Sequence, residues 1–98
     1  MNTVIKAYYR NDLGTKNSKR LRKYKKYPCI LYSVKNKSIP IYLKLSQMLK
    51  LKFMENIYKK NIIISLNKVN YLVKILEIQR HVFKNEILHL DFFLLKIL

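Results

Sequence analysis

The chain opens on an alternating run. Over residues 3–10, Ile5, Ala7 and Tyr9 alternate with Val4, Lys6, Tyr8 and Arg10, which is the two-residue period of a half-buried strand. Ile5 and Ala7 are predicted to face inward and Arg10 to face solvent at the strand end. Residues 11–15 read as a turn or loop. Its Gly14, the one glycine of the chain, can take a positive φ or let backbone approach a ligand closely, and an ordinary turn would use it equally well. A short helix is predicted over residues 16–24, capped by Asn17 or Ser18. Leu21 and Tyr24, three apart, share its core-facing side.

The rest of the chain continues in the same vein. A second strand at 27–33 is started by Pro28, carried by Cys29, Ile30 and Leu31, and ended by Tyr32 beside the helix. Pro40 puts a short strand at 39–43 on a sheet edge, because proline cannot donate to a ladder. Ser46 is predicted to cap a second helix running to about residue 58. Leu45, Leu49, Phe53 and Ile57 recur at i+4 as its buried stripe. The runs 61–66 and 71–79 flank Asn67-Lys68-Val69-Asn70 and read as a hairpin. In the second run the alternation breaks at 76–78, where a β-bulge would re-aim Gln79 and Arg80. After a polar loop at 80–86, Leu88, Leu90 and Phe92 form the inward face of a last strand. His89 and Asp91 share its outward face, about 7 Å apart. Residues 96–98 are expected to fray, leaving 1–95 as one domain.

Strands at both ends, two helices between them and no βαβ rhythm suit a mostly β fold with accessory α, a small and largely antiparallel barrel. A chain of 98 residues buries roughly 60–65% of its unfolded surface, enough for one modest core.

Charge adds a function to this scaffold. Lysine and arginine number 21 against 5 acidic residues, a net charge of +16. Such a charge repels itself unless an anion neutralises it. Nucleic acid is the common partner and an anionic membrane surface the rival. The predicted helices lack a large apolar face opposite their lysines, which speaks against the membrane. Between Gly14 and Tyr32 stand Lys16, Lys19, Arg20, Arg22, Lys23, Lys25 and Lys26, and no carboxylate falls between Asp12 and Glu55. An ordinary solvated helix would carry Glu–Lys pairs at i,i+4. Their absence favours an external anion.

The abundance of lysine, isoleucine, asparagine and tyrosine suggests an AT-rich genome in which lysine is the default cation. The four arginines, Arg10, Arg20, Arg22 and Arg80, then mark either chance or places where a planar bidentate fork is needed. Residues 1–12 hold no apolar run long enough for a signal peptide, and no stretch approaches the roughly 20 apolar residues of a membrane span. The single cysteine, Cys29, excludes an internal disulfide and a cysteine-based zinc site. A cytoplasmic location is expected.

Catalysis finds little support. His89 and Asp91 would need a nucleophile such as Ser18 or Ser33, and no strained elbow motif presents one. Two histidines eight apart are a poor metal site, and no nucleotide-type glycine loop exists. A non-catalytic chain without metal or cofactor is expected. Asp91 can accept from a base amino group, and His89 can donate to a base edge or stack on it. Asp91 can equally pair with Arg80 or a lysine. Tyr32 can stack on a base or bond a phosphate, or sit at the core edge. RNA fits better than DNA, since no recognition helix is evident and the basic residues and tyrosines spread over loops and strand ends.

These residues also resemble a known family. Arg10, Gly14, Ser18-Lys19-Arg20-Leu21-Arg22 and Pro28-Cys29-Ile30-Leu31-Tyr32, followed by Gln79-Arg80-His81-Val82 and His89-Leu90-Asp91-Phe92, are similar in order and spacing to motifs of the L-twenty-five (CTC) family. These are bacterial large-subunit ribosomal proteins that bind 5S ribosomal RNA, and the chain resembles their short single-domain form over residues 1–95. Ser33 stands for the family's glycine after the tyrosine, Val82 for its proline, and Gly14-Thr15-Lys16 for its Gly-Lys-Gly. The resemblance implies a six-stranded β-barrel with two or three short helices. It implies 5S RNA as partner, bound at the minor-groove side of loop E, and a monomer within the large subunit. It carries contact roles onto Arg10, Lys16, Ser18, Lys19, Arg22, Tyr32, His89 and Asp91, beside the cations Arg20 and Arg80. A sequence-nonspecific nucleic-acid-binding protein is the alternative.

Overall fold

The computed structural model describes residues 3–10, 15–35, 37–84 and 86–98, and of residues 15–18 the backbone alone. Six strands form a closed barrel: β1 (Thr3–Tyr9), β2 (Lys26–Tyr32), β3 (Ser38–Lys44), β4 (Ile62–Leu66), β5 (Val69–Arg80) and β6 (Ile87–Ile97). Around the barrel they follow the order β1-β3-β2-β6-β5-β4, with β4 closing onto β1. Two seams, β1/β4 and β2/β6, are parallel, and the other four are antiparallel. Helix α1 (Thr15–Lys23) lies between β1 and β2, and α2 (Leu45–Lys52) follows β3 directly. A single 3-10 turn, Ile57–Lys59, leads into β4.

Alternation fixes the inside of this barrel. Ile5 and Ala7 of β1 point inward, as do Cys29 and Leu31 of β2, Ile41 and Leu43 of β3, and Ile62, Ile64 and Leu66 of β4. Val73 and Ile75 of β5, with Leu90 and Phe92 of β6, complete the ring, and α2 plugs one mouth with Met48 and Leu51. Among the described residues every fully buried side chain is apolar. Cys29 belongs to this core, and its burial raises its thiol pKa far above the ordinary value. It is therefore an inert thiol that packs as a small hydrophobe.

Two devices shape the strands. Asn67 and Lys68 both take positive φ, 49° and 67°, and join β4 to β5. That is the pattern of a type I′ turn, whose twist matches its strands. The ladder between β5 and β6 shifts register three times, near its far end between Leu72 and Val73 and, closer to the start of β6, at two places, between Ile75 and Glu77 and between Gln79 and Arg80. The shift between Ile75 and Glu77 is the bulge expected at 76–78.

Several expectations are corrected. Asn17 and Ser18 lie within α1, which already starts at Thr15, so neither occupies the cap position. Tyr24 follows the helix and is exposed, leaving Leu21 half-buried on the inner side. Ser46 does not cap α2: Lys44 holds that position without a side-chain hydrogen bond, and the helix ends at Lys52, with Phe53 as its C-cap, instead of reaching residue 58. Its buried residues are Met48 and Leu51, whereas Leu49 and Phe53 are exposed. The barrel mouth selects an i+3 pair over the i+4 stripe.

β3 is no edge strand, since β1 and β2 flank it. Pro40 is tolerated because the paired residues on β1 are Tyr8 and Tyr9, opposite Tyr42 and Ile41, and only the Arg10 N–H reaches the Pro40 carbonyl, at 3.1 Å. In β6 the register shift at Gln79 and Arg80 makes Ile87 the buried residue in place of Leu88, which is half-buried. Nor does the end fray at residue 96: β6 runs to Ile97, opposite Tyr71, and the Leu98 N–H donates to the Asn70 carbonyl. The turn and loop positions 11–14, Gly14 included, lie outside the described residues.

Candidate nucleic-acid interface

The candidate surface is assembled where β6 runs parallel to β2. The parallel pairs are Cys29 with Leu90, Ile30 with Asp91, Leu31 with Phe92 and Tyr32 with Phe93. Pro28 precedes the first of these pairs, so its missing N–H costs this ladder nothing. With Leu90 and Phe92 buried, the alternation turns His89 and Asp91 outward. Ile30 is also opposite Pro40 on β3, and Glu77 of β5 is opposite Asp91. One cross-strand row therefore runs from Arg10, through Pro40 and Ile30, to Asp91 and Glu77.

His89 and Asp91 form a pair on this face. His89 Nδ1 lies 3.2 Å from Asp91 Oδ1, with side-chain exposures of 25% and 19%. Oδ1 is shielded from solvent and has no aligned hydrogen-bond partner among the described residues, so its contact with His89 is electrostatic. Among the described residues, neither Arg80 nor a lysine pairs with Asp91. Burial pushes the His89 imidazole below its ordinary pKa. The positive charges of Arg10 and Arg22 add to that, against the opposing pull of Asp91 and Glu77. Burial pushes the Asp91 carboxyl up, and the neighbouring His89 draws it partly back. His89 is thus a neutral imidazole at pH 7. The carboxylate beside Nδ1 favours a proton on that nitrogen, which leaves Nε2 as an acceptor. A ribose hydroxyl or a base amino group can donate to it.

The effect of both guanidiniums on His89 places Arg10, Arg22, His89 and Asp91 in one electrostatic neighbourhood. Arg10 arrives at the end of β1, positioned by its backbone bond to Pro40. Arg22 arrives from α1, which packs against β2. The helix stops when Lys25 turns left-handed, φ 60°. Its N–H donates to the Arg22 carbonyl at 2.9 Å, and its own carbonyl accepts from Leu45 N–H at 3.1 Å. That bond ties the end of α1 to the start of α2 and fixes the helix against the barrel. Arg20, Arg22 and Lys23 crowd the last turn, where cations complement the helix dipole.

The remaining expected contacts fall into place unevenly. Lys19 and Arg20 are exposed on α1, and Arg22 is half-buried. Tyr32 is half-buried and stands on the outward face of β2, two residues beyond Ile30 and opposite Phe93. The side chains of Lys16 and Ser18 lie outside the described residues. Arg80 is exposed and opposite Ile87, so it is not in the His89 row. Gln79 is: it is exposed and directly opposite His89. Sequence reasoning named Arg80 for its charge and passed over Gln79, although the bulge it inferred next to both was the signal that could have separated them. Glu77, opposite Asp91, was likewise missed.

Relatives called large ribosomal subunit protein bL25 are similar along nearly their whole length. The chain is 37% identical to the protein of Buchnera aphidicola subsp. Acyrthosiphon pisum (strain Tuc7), over 91% of this chain and 94% of that one. It is 39% identical to that of Buchnera aphidicola subsp. Baizongia pistaciae, over 91% and 93%. It is 34% identical to that of Pectobacterium carotovorum, over 91% and 95%. The model of the Ribosomal L25p family matches residues 5–92, from the first inward residue of β1 to the last inward residue of the β2/β6 seam, and the chain belongs to that family.

Proposed function

We propose that this chain is a structural, non-catalytic protein of the large ribosomal subunit, cytoplasmic with the ribosome. We further propose that it binds 5S ribosomal RNA at loop E and helps place that RNA in the central protuberance. The observation that supports this reading best is the His89–Asp91 pair on the outward face of β6, within the electrostatic reach of Arg10 and Arg22. Two planar cations beside a neutral imidazole and a half-shielded carboxylate supply donors and acceptors in fixed places, as reading base edges and groove shape requires. Tyr32 on the same face of β2 adds a ring for stacking. Lys19, Arg20 and Lys23, exposed on α1, position the RNA through its phosphates. Lys16, Ser18 and Arg80 belong to the same proposed footprint, and the protein acts there as a monomer.

Footprinting on the organism's own 5S RNA tests this. Protection confined to loop E, with preference over an unrelated duplex of equal length, is the expected result. Equal affinity for both would leave the second reading, a sequence-blind nucleic-acid binder, for which the net charge of +16 would suffice.

A further inference from the structure

We propose that the outward face of β1, β3 and the start of β2 is a second RNA-contacting zone, a phosphate platform built by Lys6, Lys26 and Lys44 on the stacked rings of Tyr8 and Tyr42. It extends the RNA-binding reading above and rests on it only for the identity of the RNA.

The platform is defined by its register. Tyr8 and Tyr42 are directly opposite across the β1/β3 seam, and their rings stack with centroids 5.2 Å apart and planes 20° from parallel. Lys44 Nζ lies 4.8 Å from the Tyr8 ring centroid, Lys6 Nζ 5.6 Å from the same centroid, and Lys26 Nζ 5.3 Å from that of Tyr42. Aromatic faces attract ammonium groups, and here they hold three flexible side chains over one spot. A lysine tethered this way loses less freedom when it binds an anion.

Two features show that the platform is incomplete on its own. Lys26 is directly opposite Lys44 in the β2/β3 ladder, and like charges in that relation destabilise a sheet. None of the three ammoniums forms an ion pair with a described carboxylate. A polyanion placed across them would remove the repulsion. The ligand group is phosphate, not a base, because ammoniums already occupy the ring faces on which a base would stack.

The position identifies whose phosphates these are. Tyr42 is opposite Pro28 on β2, and Pro28, one residue before the Cys29–Leu90 pair, is level with His89. The tyrosine pair thus lies on the cross-strand row of His89, with Tyr42 roughly 10 Å and Tyr8 roughly 14 Å away at about 4.8 Å per strand. Beyond Tyr8, an open groove of about 560 Å³ between β1 and the β4–β5 turn is lined by Lys6, Tyr8, Tyr9, Ser65, Asn67 and Lys68. A cationic track therefore leads from the His89 face across Lys26, Lys44 and Lys6 towards Lys68. An RNA engaged at His89 can follow it with its backbone.

The test is the triple variant Lys6→Gln/Lys26→Gln/Lys44→Gln, checked for its fold by circular dichroism. It is titrated with the organism's 5S RNA at several salt concentrations and footprinted with hydroxyl radicals. The expected result is a plot of log affinity against log salt shallower by about two to three. Protection should be lost on the strand flanking the main footprint and kept at the main footprint itself. An unchanged slope with an unchanged footprint overturns the platform while leaving the 5S reading intact. If the wild type shows no preference for 5S RNA, that reading falls, and the slope change on an unrelated duplex decides the platform alone. Loss of binding to phosphatidylserine–phosphatidylcholine vesicles, with the RNA slope kept, would assign the lysines to a membrane and also overturn it.

Discussion

His89 Nδ1 stands 3.2 Å from Asp91 Oδ1 on the outward face of β6, yet burial drives both groups toward their neutral forms. This has a consequence for stability. A histidine whose folded pKa lies below its unfolded value binds protons more readily when the chain is unfolded, so the fold loses stability as pH falls through about 6.5 toward the depressed value. A carboxyl raised in the fold acts oppositely and at lower pH: protonating Asp91 relieves a cost of the folded state. Denaturant melts of the wild type should therefore show stability declining from pH 7 to 5.5, and His89→Gln should flatten that segment. An identical slope in the variant would refute the burial argument.

Arg22 acts on His89 from a helix held to the barrel by the Lys25–Leu45 hydrogen bond. Arg22→Ala should weaken binding to 5S RNA by about 1–3 kcal/mol and relax its preference over unrelated duplex. Arg22→Lys should restore the salt dependence but not the preference, because an ammonium lacks the planar fork. Filter binding of both variants at two salt concentrations separates these effects. Complete rescue by lysine would show that only charge matters at this position.

Lys68 takes φ 67° in the β4–β5 turn, a conformation that costs a non-glycine residue about 1–2 kcal/mol. Lys68→Gly should raise the unfolding free energy by a few tenths to about 1 kcal/mol, after the added freedom of glycine in the unfolded chain is subtracted. Asn67→Val should lower it, since a β-branched residue fits φ 49° poorly. Thermal melts of the two variants should move in opposite directions.

Phe92 is fully buried in the core and lies on the β2/β6 seam opposite Leu31. Phe92→Ala should cost about 3–5 kcal/mol and loosen Asp91 beside it. Chemical denaturation measures the first effect. The second predicts a drop in RNA affinity measured under conditions where the variant is still folded.

Much of this was legible from period and punctuation. The alternation of Ile5 and Ala7, the hairpin read around Asn67 to Asn70 and the broken period at 76–78 each reported a local backbone requirement, although Val69 and Asn70, read as turn, already belong to β5. Local requirements are what a sequence expresses most directly. The errors share another cause. The segment after Lys44 is apolar at both i+3 and i+4, so only the barrel mouth could choose Met48 and Leu51 over Leu49 and Phe53. The shift that puts Ile87 inside, and Gln79 rather than Arg80 opposite His89, depends on where β6 meets β5. Nothing within either strand encodes that offset. Arg10, Arg22, His89 and Asp91 stand in short motifs that the chain displays by residue type, order and spacing, whereas the lysine-capped tyrosine pair joins positions 34 residues apart (8 to 42) and carried no local mark.

The parallel seams set an order on events as the chain is made. β2 cannot gain its β6 neighbour, nor β1 its β4 neighbour, until the polypeptide has been extended by dozens of residues. Such distant pairings are slow to form. The basic stretch of α1 is therefore synthesised early and waits without its scaffold, while His89 and Asp91 come near the very end. A nascent protein interrupted before residue 87 would carry nearly all of the basic residues and lack both His89 and Asp91.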